Sequence, residues 1–323
     1  MSTLHAPLPI PRAAELANAV LDSVDGAVVG KREPLSLVLA GILAGGHVLL
    51  EDLPGLGKTL AARSLAQALG LDFARAQFTP DLLPADLTGS FMYDQQNSEF
   101  EFRPGPIFTG LLLADEINRT PPKTQSALLE AMQERQVTVE GTTFPLPRPF
   151  HVLATANPIE HEGTYPLPEA QLDRFLLRLS FGYPEADEEW GILQRRFGRK
   201  QEEQSVVAVC TPDELLGMQA AVEEVHIDDG VGKYAIDLVR ATREHGDALV
   251  GASPRGSMAL LLCARALAVI SGRDYVLPED LKRLAHPALD HRITIRPELW
   301  MGDASPARIV DSVLETVPVP DAK

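Results

Sequence analysis

The stretch that most constrains the fold of this chain is EDLPGLGKT at residues 51–59. The apolar run HVLLE leads into it, and the helix-like stretch KTLAARSLAQALG (58–70) follows it. Strand, glycine turn and helix in this order bring backbone N–H groups together at the positive end of a helix, where phosphate binds. Gly55 and Gly57 permit the tight turn, and Pro54 presets its bend. The stretch therefore predicts a phosphate-binding loop.

Two side chains in this loop point to a nucleotide with a metal. Lys58 supplies a charge for the outer phosphates, and Thr59 supplies a hydroxyl for Mg²⁺. The loop departs from the G-x-x-x-x-G-K-[ST] pattern, because Asp52 stands where the first glycine is expected. A glycine turn of this kind also occurs by chance. The loop accommodates Asp52 if its carboxylate turns away or pairs with a cation. We expect Asp52→Gly to retain or tighten nucleotide binding, and a severe loss would show that the acid positions the loop.

A second apolar run, GLLLADEINR (110–119), ends on two acids, Asp115 and Glu116. At the carboxyl edge of a parallel sheet, beside a phosphate loop, Asp115 can hold Mg²⁺ and Glu116 can act as general base on the attacking water. A helix cap or a salt-bridged pair in a loop would also explain two acids at this place. The upstream loop favours the catalytic interpretation.

A third apolar run, VLATANP (152–158), ends on the amide of Asn157. An uncharged donor there can orient the attacking water or contact the terminal phosphate. An Asx turn before the following proline is the alternative explanation. The position after a third predicted strand favours a functional role.

Arginines in two other segments can stabilise charge on a phosphate. Arg174, in PLPEAQLDRFLL, could reach the nucleotide of a neighbouring subunit, and Arg255, in GASPRG, could contact the terminal phosphate of its own subunit. Each could instead form a surface salt bridge, and the same holds for Arg119 and Arg178.

Buried strands and helices alternate in the first part of the chain. Strands are predicted at 47–51, 110–116, 150–158 and 175–184, helices at 34–44, 58–70 and 123–135, and a hairpin at 136–150 with its turn near Gly141. This alternation indicates an α/β fold with a mainly parallel sheet. From about Glu185 the apolar spacing becomes helical throughout. We therefore expect an α/β domain over 1–184 and an all-helical domain over 185–323.

Charge and cysteine content narrow the function classes. The net charge of −16 opposes tight binding to a nucleic-acid backbone. The two cysteines, Cys210 and Cys263, offer no disulfide framework, and the N-terminal residues lack a secretion signal, so we expect a cytoplasmic protein. The most apolar stretch, 35–51, is broken by glycines and is too short to span a bilayer, so no membrane insertion is expected.

The ordered motifs resemble those of AAA+ ATPases and, in detail, those of the MoxR family. The resemblance extends from about residue 12 to residue 300. It rests on VVGK (28–31), LEDLPGLGKT (50–59), QFTPDLLPADLTGS (77–90), the segment 100–141, ATANPIEHEGTYPLPEAQLDRF (154–175) and GASPRG (251–256). The resemblance implies a three-layer αβα P-loop core with a small all-α lid. It also implies assembly into a hexameric ring that hydrolyses ATP at its subunit junctions.

The same resemblance implies a role for each matching residue. Lys58 and Thr59 match Walker A, and Asp115 and Glu116 match Walker B, with Glu116 as the general base. Asn157 matches sensor 1, Arg174 matches the arginine finger and Arg255 matches sensor 2. Mg²⁺ is expected on Thr59 and Asp115. ATP or ADP is expected on Val29, Gly30, Pro54, Gly55, Leu56, Gly57, Lys58, Thr59 and Leu60. The segment 87–104 falls where this clade carries its helix-2 insert, and VTVEG matches the pre-sensor-1 hairpin. Such hairpins usually face the pore or a partner, although their aromatic side chains could pack within their own hairpin.

Members of this family usually pair with proteins that carry a von Willebrand factor A domain. The resemblance therefore implies a chaperone that remodels, assembles or matures target proteins, including by metal insertion. No residue identifies the target. A nucleotide-gated scaffold with little hydrolysis is a second hypothesis. A DNA-remodelling motor is a third, which the net charge disfavours.

Overall fold

A computed structural model describes residues 5–158, 164–199 and 206–320 of the chain. Residues 159–163, inside the motif stretch 154–175, lie outside the described residues. So do residues 1–4, 200–205 and 321–323, which belong to the predicted domains 1–184 and 185–323.

Helices and strands alternate in the first half, and helices dominate the second. The helices are α1 (Ile10–Asp25), α2 (Arg32–Leu43), α3 (Lys58–Ala68), α4 (Pro84–Thr88), α5 (Pro122–Glu134), α6 (Glu169–Leu172), α7 (Ala186–Arg199), α8 (Pro212–Glu223), α9 (Asp229–Glu244), α10 (Pro254–Ile270), α11 (Pro278–Leu289) and α12 (Pro306–Thr316). The strands are β1 (Val48–Glu51), β2 (Phe73–Gln77), β3 (Gly89–Asp94), β4 (Glu99–Pro104), β5 (Leu111–Asp115), β6 (Gln136–Val139), β7 (Thr142–Pro145), β8 (His151–Ala156), β9 (Leu177–Leu179), β10 (Ala248–Val250) and β11 (Thr294–Ile295).

A five-stranded sheet in the order β2-β5-β8-β1-β9 forms the centre of the first half. Every neighbouring pair in it is parallel, with Gln77 opposite Asp115 and Leu50 opposite Thr155. Parallel strands place all their carboxyl ends at one edge. The residues that follow β1, β5 and β8 therefore meet there.

Helices cover both faces of this sheet. Leu113 and Leu153 belong to the apolar cluster that includes α1, α2 and α3, whereas Leu112 and Val152 belong to the cluster with α5. Neighbouring residues of one strand point to opposite faces, so a strand buried on both sides is apolar throughout. The predicted three-layer α/β core with its mainly parallel sheet is confirmed.

Strand β2 is not among the sequence predictions. The alternation of apolar and polar residues is weak in this strand, because the polar side chains of Arg75 and Gln77 lie on the same face as Phe73. Of its five residues, only Ala76 is buried. An edge strand needs less apolar surface than a central one, and its signal is correspondingly weaker.

The second half is helical, as predicted, with one addition. Strands β10 and β11 pair antiparallel there, with Ala248 opposite Ile295. Helix α10 packs on α1 and α2, so the apolar cluster of the first half continues into the helical region. The predicted division at residue 184 falls between β9 and α7 and stays a prediction.

Two hairpins project from the core in the predicted segments. β3 pairs with β4, and β6 pairs with β7 around a turn at Gly141, which has φ +82°. Tyr93 and Phe100 pack within the first hairpin, but Phe102 stacks on Phe144 of the second at a centroid distance of 3.9 Å. We call the stacked pair and its neighbours the aromatic bridge (Phe91, Phe102, Phe108 and Phe144).

Within the described ranges, no helix is both long and apolar enough to cross a bilayer.

Candidate active site

A cavity of about 450 Å³ opens at the carboxyl edge of the parallel sheet. This volume lies within the range of small-molecule sites. The lining comes from the phosphate loop, from β2 and from the ends of β5 and β8. It comprises Pro54, Gly55, Leu56, Gly57, Lys58, Thr59, Leu60, Arg75, Asp115, Glu116, Thr155, Ala156 and Asn157. The structure thus brings the predicted loop, both strand-end acids and the strand-end amide to one cavity.

The loop has the backbone that its glycines predict. Gly55 has φ +84° and Gly57 has φ +81°, and α3 begins directly afterwards at Lys58. A side chain at either glycine would be strained in this left-handed region. Leu60, which is expected among the nucleotide contacts, is 39% exposed and lines the cavity.

Lys58 bends back onto its own loop. Its Nζ donates to the carbonyl oxygens of Asp52 at 2.6 Å and Leu53 at 2.9 Å. Burial lowers the pKa of Lys58 from its ordinary value, although the nearby carboxylates of Asp115 and Glu116 oppose this shift. A phosphate entering the cavity offers Lys58 a charged acceptor in place of two neutral carbonyls.

Asp52, at the first-glycine position, turns its carboxylate away from the cavity. Oδ2 accepts from the backbone N–H groups of Phe181 at 2.5 Å and Gly182 at 3.1 Å, and Oδ1 accepts from that of Leu53 at 3.1 Å. The residue is only 6% exposed. Asp52 therefore fastens the entrance of the loop to the segment that joins β9 to α7.

These contacts reverse the sequence-based expectation for Asp52→Gly. Without the carboxylate, the N–H groups of Phe181 and Gly182 lose a buried charged acceptor, so we expect the free energy of unfolding to fall by about 2 kcal/mol. Nucleotide affinity should fall with it, because the loop entrance loses its anchor. Thermal denaturation and nucleotide titration of Asp52→Gly and Asp52→Ala measure both effects.

The matched control is Asp237→Ala, which removes an exposed carboxylate on α9. If Asp52→Ala were as stable as this control, the carboxylate would not anchor the segment after β9.

Both oxygens of the Asp115 carboxylate are engaged. Thr155 Oγ1 donates to Oδ1 at 2.6 Å, and Arg75 donates to Oδ2 through Nε at 3.0 Å and Nη2 at 2.7 Å. Thr155 also accepts from the backbone N–H of Glu116 at 2.8 Å. The hydroxyl of Thr155 therefore fixes the position of both acids.

Glu116 adopts a backbone conformation that is rare for a residue with a side chain, with φ +59° and ψ +49°. Such residues cluster at functional sites, since the surrounding structure must hold them. Its Oε2 accepts from Gln77 Nε2 and from Arg119 Nη1, both at 2.9 Å. These contacts hold the Glu116 carboxylate at the cavity wall, and they give Arg119 a partner.

Asn157 is buried at the end of β8 and lines the cavity. Its backbone carbonyl oxygen accepts from Asn118 Nδ2 at 3.2 Å. Gln125 of α5 supports the intervening loop, because its Nε2 donates to the carbonyl oxygens of Ile117 and Thr120, both at 3.1 Å.

The donor set suits Mg²⁺ with a nucleotide. Mg²⁺ prefers oxygen ligands, and it usually takes one or two carboxylates together with phosphates and water. Thr59 and Asp115 supply a hydroxyl and a carboxylate in the same cavity. The described residues contain no cluster of three or more His, Cys, Asp or Glu side chains that could hold a metal by themselves.

Arg174 and Arg255 lie together in a second cavity, of about 220 Å³. None of the described residues that line it also lines the phosphate-loop cavity. Asp173 joins them, since its Oδ2 lies 3.9 Å from Arg255 Nε and accepts from Ser253 Oγ at 3.1 Å. Buried Arg292 donates to Asp173 Oδ1 at 2.7 Å. We call Asp173, Arg174, Ser253, Arg255 and Arg292 the arginine cluster.

Arg255 is not among the described residues that line the phosphate-loop cavity, and its expected contact with the phosphate of its own subunit stays a prediction. The pairing of Asp173 with Arg292 and Ser253 fixes the start of α10 beside Arg174, and Arg255 extends from that start. Arg174 also lies outside the phosphate-loop cavity, and its expected role at the nucleotide of a neighbouring subunit stays a prediction.

Val29 and Gly30 are not among the described residues that line the cavity, and their expected contact with nucleotide stays a prediction. Helix α7 lies beside them: a Cβ at Gly30 would lie 2.2 Å from Glu188 Cδ, and Val29 lies close to Gly191. Arg178, whose role the sequence leaves open, pairs with Glu51 across β9 and β1 at 3.1 Å.

Several polar residues of the two sites are not among the sequence predictions: Arg75, Gln77, Thr155, Asp173 and Arg292. A weak signal exists for Thr155, which is the polar residue inside an apolar strand. The parallel pairing of β2 with β5 brings Arg75 and Gln77 to Asp115. Because the sequence does not predict β2, it does not predict these two contacts either.

Comparison with known proteins agrees with this geometry. The family model for the ATPase family associated with various cellular activities (AAA) matches residues 47–177, and a model for the AAA lid domain matches residues 240–313. A crystal structure of a candidate ATPase from Cytophaga hutchinsonii superposes with a TM-score of 0.91. It is 42% identical and covers 97% of either chain.

Three curated relatives match over most of their length. An uncharacterized Bacillus subtilis protein, YeaC, is 48% identical over 94% of this chain and 95% of its own. The chaperone MoxR1 of Mycobacterium tuberculosis is 42% identical over 91% of this chain and 79% of its own. The protein MoxR of Paracoccus denitrificans is 32% identical over 93% of this chain and 95% of its own.

Proposed function

The chain belongs to the MoxR family of AAA+ ATPases, and from that premise we propose that it is an ATP-driven chaperone that works as a hexameric ring on other proteins. The observation that carries the proposal is the single cavity in which Lys58, Asp115, Glu116 and Asn157 meet. A chain that only bound nucleotide would not need a strand-end acid held in a strained conformation beside the phosphate loop.

The phosphate loop binds and orients the nucleotide. Backbone N–H groups from Gly55 to Thr59 bind phosphate oxygens at the start of α3. Lys58 Nζ exchanges its two carbonyl acceptors for phosphate oxygens. Thr59 and Asp115 would hold Mg²⁺, which would neutralise charge on the phosphates.

Hydrolysis then depends on the ends of β5 and β8. Glu116 accepts a proton from the attacking water, and Asn157 orients that water. Thr155 keeps Asp115 and Glu116 in place through its one hydroxyl.

The arginine cluster completes the site of a neighbouring subunit. Arg174 and Arg255 share one cavity and are both absent from the lining of their own phosphate-loop cavity, as far as the described residues show. Asp173 and Arg292 lock the helical region to the core beside them. In our proposal both arginines therefore act across the subunit junction, where they stabilise charge that develops on the phosphate.

The chaperone role and the partner rest on the family. We propose a partner with a von Willebrand factor A domain and a client that the pair remodels, assembles or matures, including by metal insertion. A cytoplasmic location is part of the proposal and is supported by the free cysteines Cys210 and Cys263.

The partner proposal is tested with the variant Glu116→Gln, which should hold ATP without hydrolysing it and thereby hold its partner. We expect this variant, tagged and expressed in its native cell, to form six-subunit rings with ATP. It should retain a protein with a von Willebrand factor A domain, identified by mass spectrometry. The matched control is the same variant with Lys58→Ala added, which should release both nucleotide and partner.

Two other outcomes would contradict the proposal. Rings with negligible phosphate release in the wild type and no nucleotide-dependent partner would favour a nucleotide-gated scaffold. A salt-dependent shift of duplex DNA in a gel would favour a DNA motor instead.

A further inference from the structure

Arg75 is the unassigned residue whose contacts bear most directly on nucleotide binding. It stands on the edge strand β2, opposite Leu113, and its side chain lies on the same face as that of Gln77, two residues on. Its guanidinium makes two bonds to one oxygen, Asp115 Oδ2, and a third to Gln77 Oε1 at 2.5 Å. It remains 47% exposed and lines the phosphate-loop cavity.

The bond to Asp115 places Arg75 in competition with a metal. Asp115 Oδ1 is occupied by the hydroxyl of Thr155, and Oδ2 is occupied by Arg75. A dication on this carboxylate would lie beside a guanidinium, and like charges at contact distance repel strongly in a partly buried site. Metal binding at Asp115 therefore favours departure of Arg75.

The cavity itself offers Arg75 a second acceptor. Among the described residues that line it, the cationic side chains are Lys58 and Arg75, and the anionic ones are Asp115 and Glu116. These charges balance without a ligand, so a nucleotide's phosphates arrive with an excess of negative charge. Arg255 lies in the other cavity. Arg75 is thus the arginine in position to pair with the terminal phosphate of its own subunit.

We propose that Arg75 senses the terminal phosphate: it neutralises Asp115 when that phosphate is absent and transfers to it when ATP with Mg²⁺ binds. This inference rests on the proposed function for the identity of the ligand. The consequence is a preference for ATP over ADP. The terminal phosphate of ATP replaces the Asp115 carboxylate as the partner of Arg75, whereas ADP offers no such phosphate. Arg75 then weakens metal binding in the ADP complex and strengthens binding of ATP relative to ADP.

The test measures binding and not turnover. Calorimetric titrations of a non-hydrolysable ATP analogue, of ADP, and of Mg²⁺ into the ADP complex are compared between wild type and Arg75→Ala. We expect the preference for the ATP analogue over ADP to fall roughly tenfold in Arg75→Ala, since one charge-assisted contact is lost. Mg²⁺ should bind the ADP complex several-fold more tightly, because Asp115 is released.

Two further variants keep the result specific. Arg75→Lys, which keeps the charge but not the planar fork, should restore part of the ATP preference. Arg240→Ala removes a surface arginine that pairs with Glu244 on α9, and it should change neither quantity.

Equal weakening of the ATP analogue and ADP by Arg75→Ala, with unchanged Mg²⁺ affinity, would overturn the inference and leave Arg75 a structural ion pair. A wild type that binds but does not hydrolyse ATP would contradict the proposed function and not the inference on Arg75, since these titrations involve no turnover.

Discussion

Glu116→Gln is expected to lower ATP turnover by about 10²–10⁴-fold, the usual contribution of a general base, while nucleotide binding persists. Glutamine has nearly the shape of glutamate and can still bond with Gln77 and Arg119, so the strand end should keep its conformation. It cannot take a proton from water. Phosphate release at saturating ATP measures the loss, and a titration with labelled nucleotide measures binding.

The control for this variant is Glu130→Gln, an exposed carboxylate on α5 that should leave turnover unchanged. Full turnover in Glu116→Gln would remove Glu116 from the mechanism as the base. Loss of nucleotide binding would show instead that its charge shapes the cavity.

Arg174→Ala is expected to lower turnover by about 10³-fold or more, as loss of an arginine finger does, and to leave nucleotide binding intact. Because the arginine serves the neighbouring site, activity should return when inert Arg174→Ala subunits are mixed with inert Lys58→Ala subunits. In a ring with heterologous contacts, each junction pairs the phosphate loop of one subunit with Arg174 of its neighbour. In an equal mixture, about one junction in four then combines an intact phosphate loop with an intact arginine. Phosphate release over a range of mixing ratios measures the recovery.

A second mixture distinguishes the two possible roles of Arg255. If Arg174 and Arg255 both act across the junction, a mixture of Arg174→Ala with Arg255→Ala stays inert, since the subunit that contributes the arginine cluster always lacks one of them. If Arg255 served its own subunit, this mixture would recover activity as the first does. Copurification of differently tagged subunits confirms that mixed rings form. Absence of recovery in the first mixture, with mixed rings present, would contradict the trans role of Arg174.

Short-range patterns in the sequence are enough to predict four of the five strands of the central sheet and one side of the site. Strands β1, β5 and β8 are apolar runs that end in functional groups, so their ends identify Asp115, Glu116 and Asn157. Gly57, Lys58 and Thr59 are adjacent along the chain, and their chemistry follows from that adjacency.

Contacts between distant segments are not predictable in this way. Asp52 meets Phe181 129 positions further along, and nothing near Asp52 signals that partner. Arg292 is 119 positions from Asp173, so the sequence does not show where α10 and Arg255 are fixed. Arg75 interrupts the apolar pattern of its own strand. The polar side chain that lines the cavity is therefore also the reason that the sequence pattern does not predict β2.

The aromatic bridge joins the two hairpins to the strand that ends at the cavity. Phe102 of the first hairpin and Phe144 of the second are stacked, so the positions of the two hairpins depend on each other. From Phe144 the chain passes the buried residues Leu146 and Phe150 into β8, and β8 ends beside Asn157. A continuous series of side-chain contacts and one strand thus connects the exposed aromatic residues Tyr93 and Phe100 of the first hairpin with the cavity.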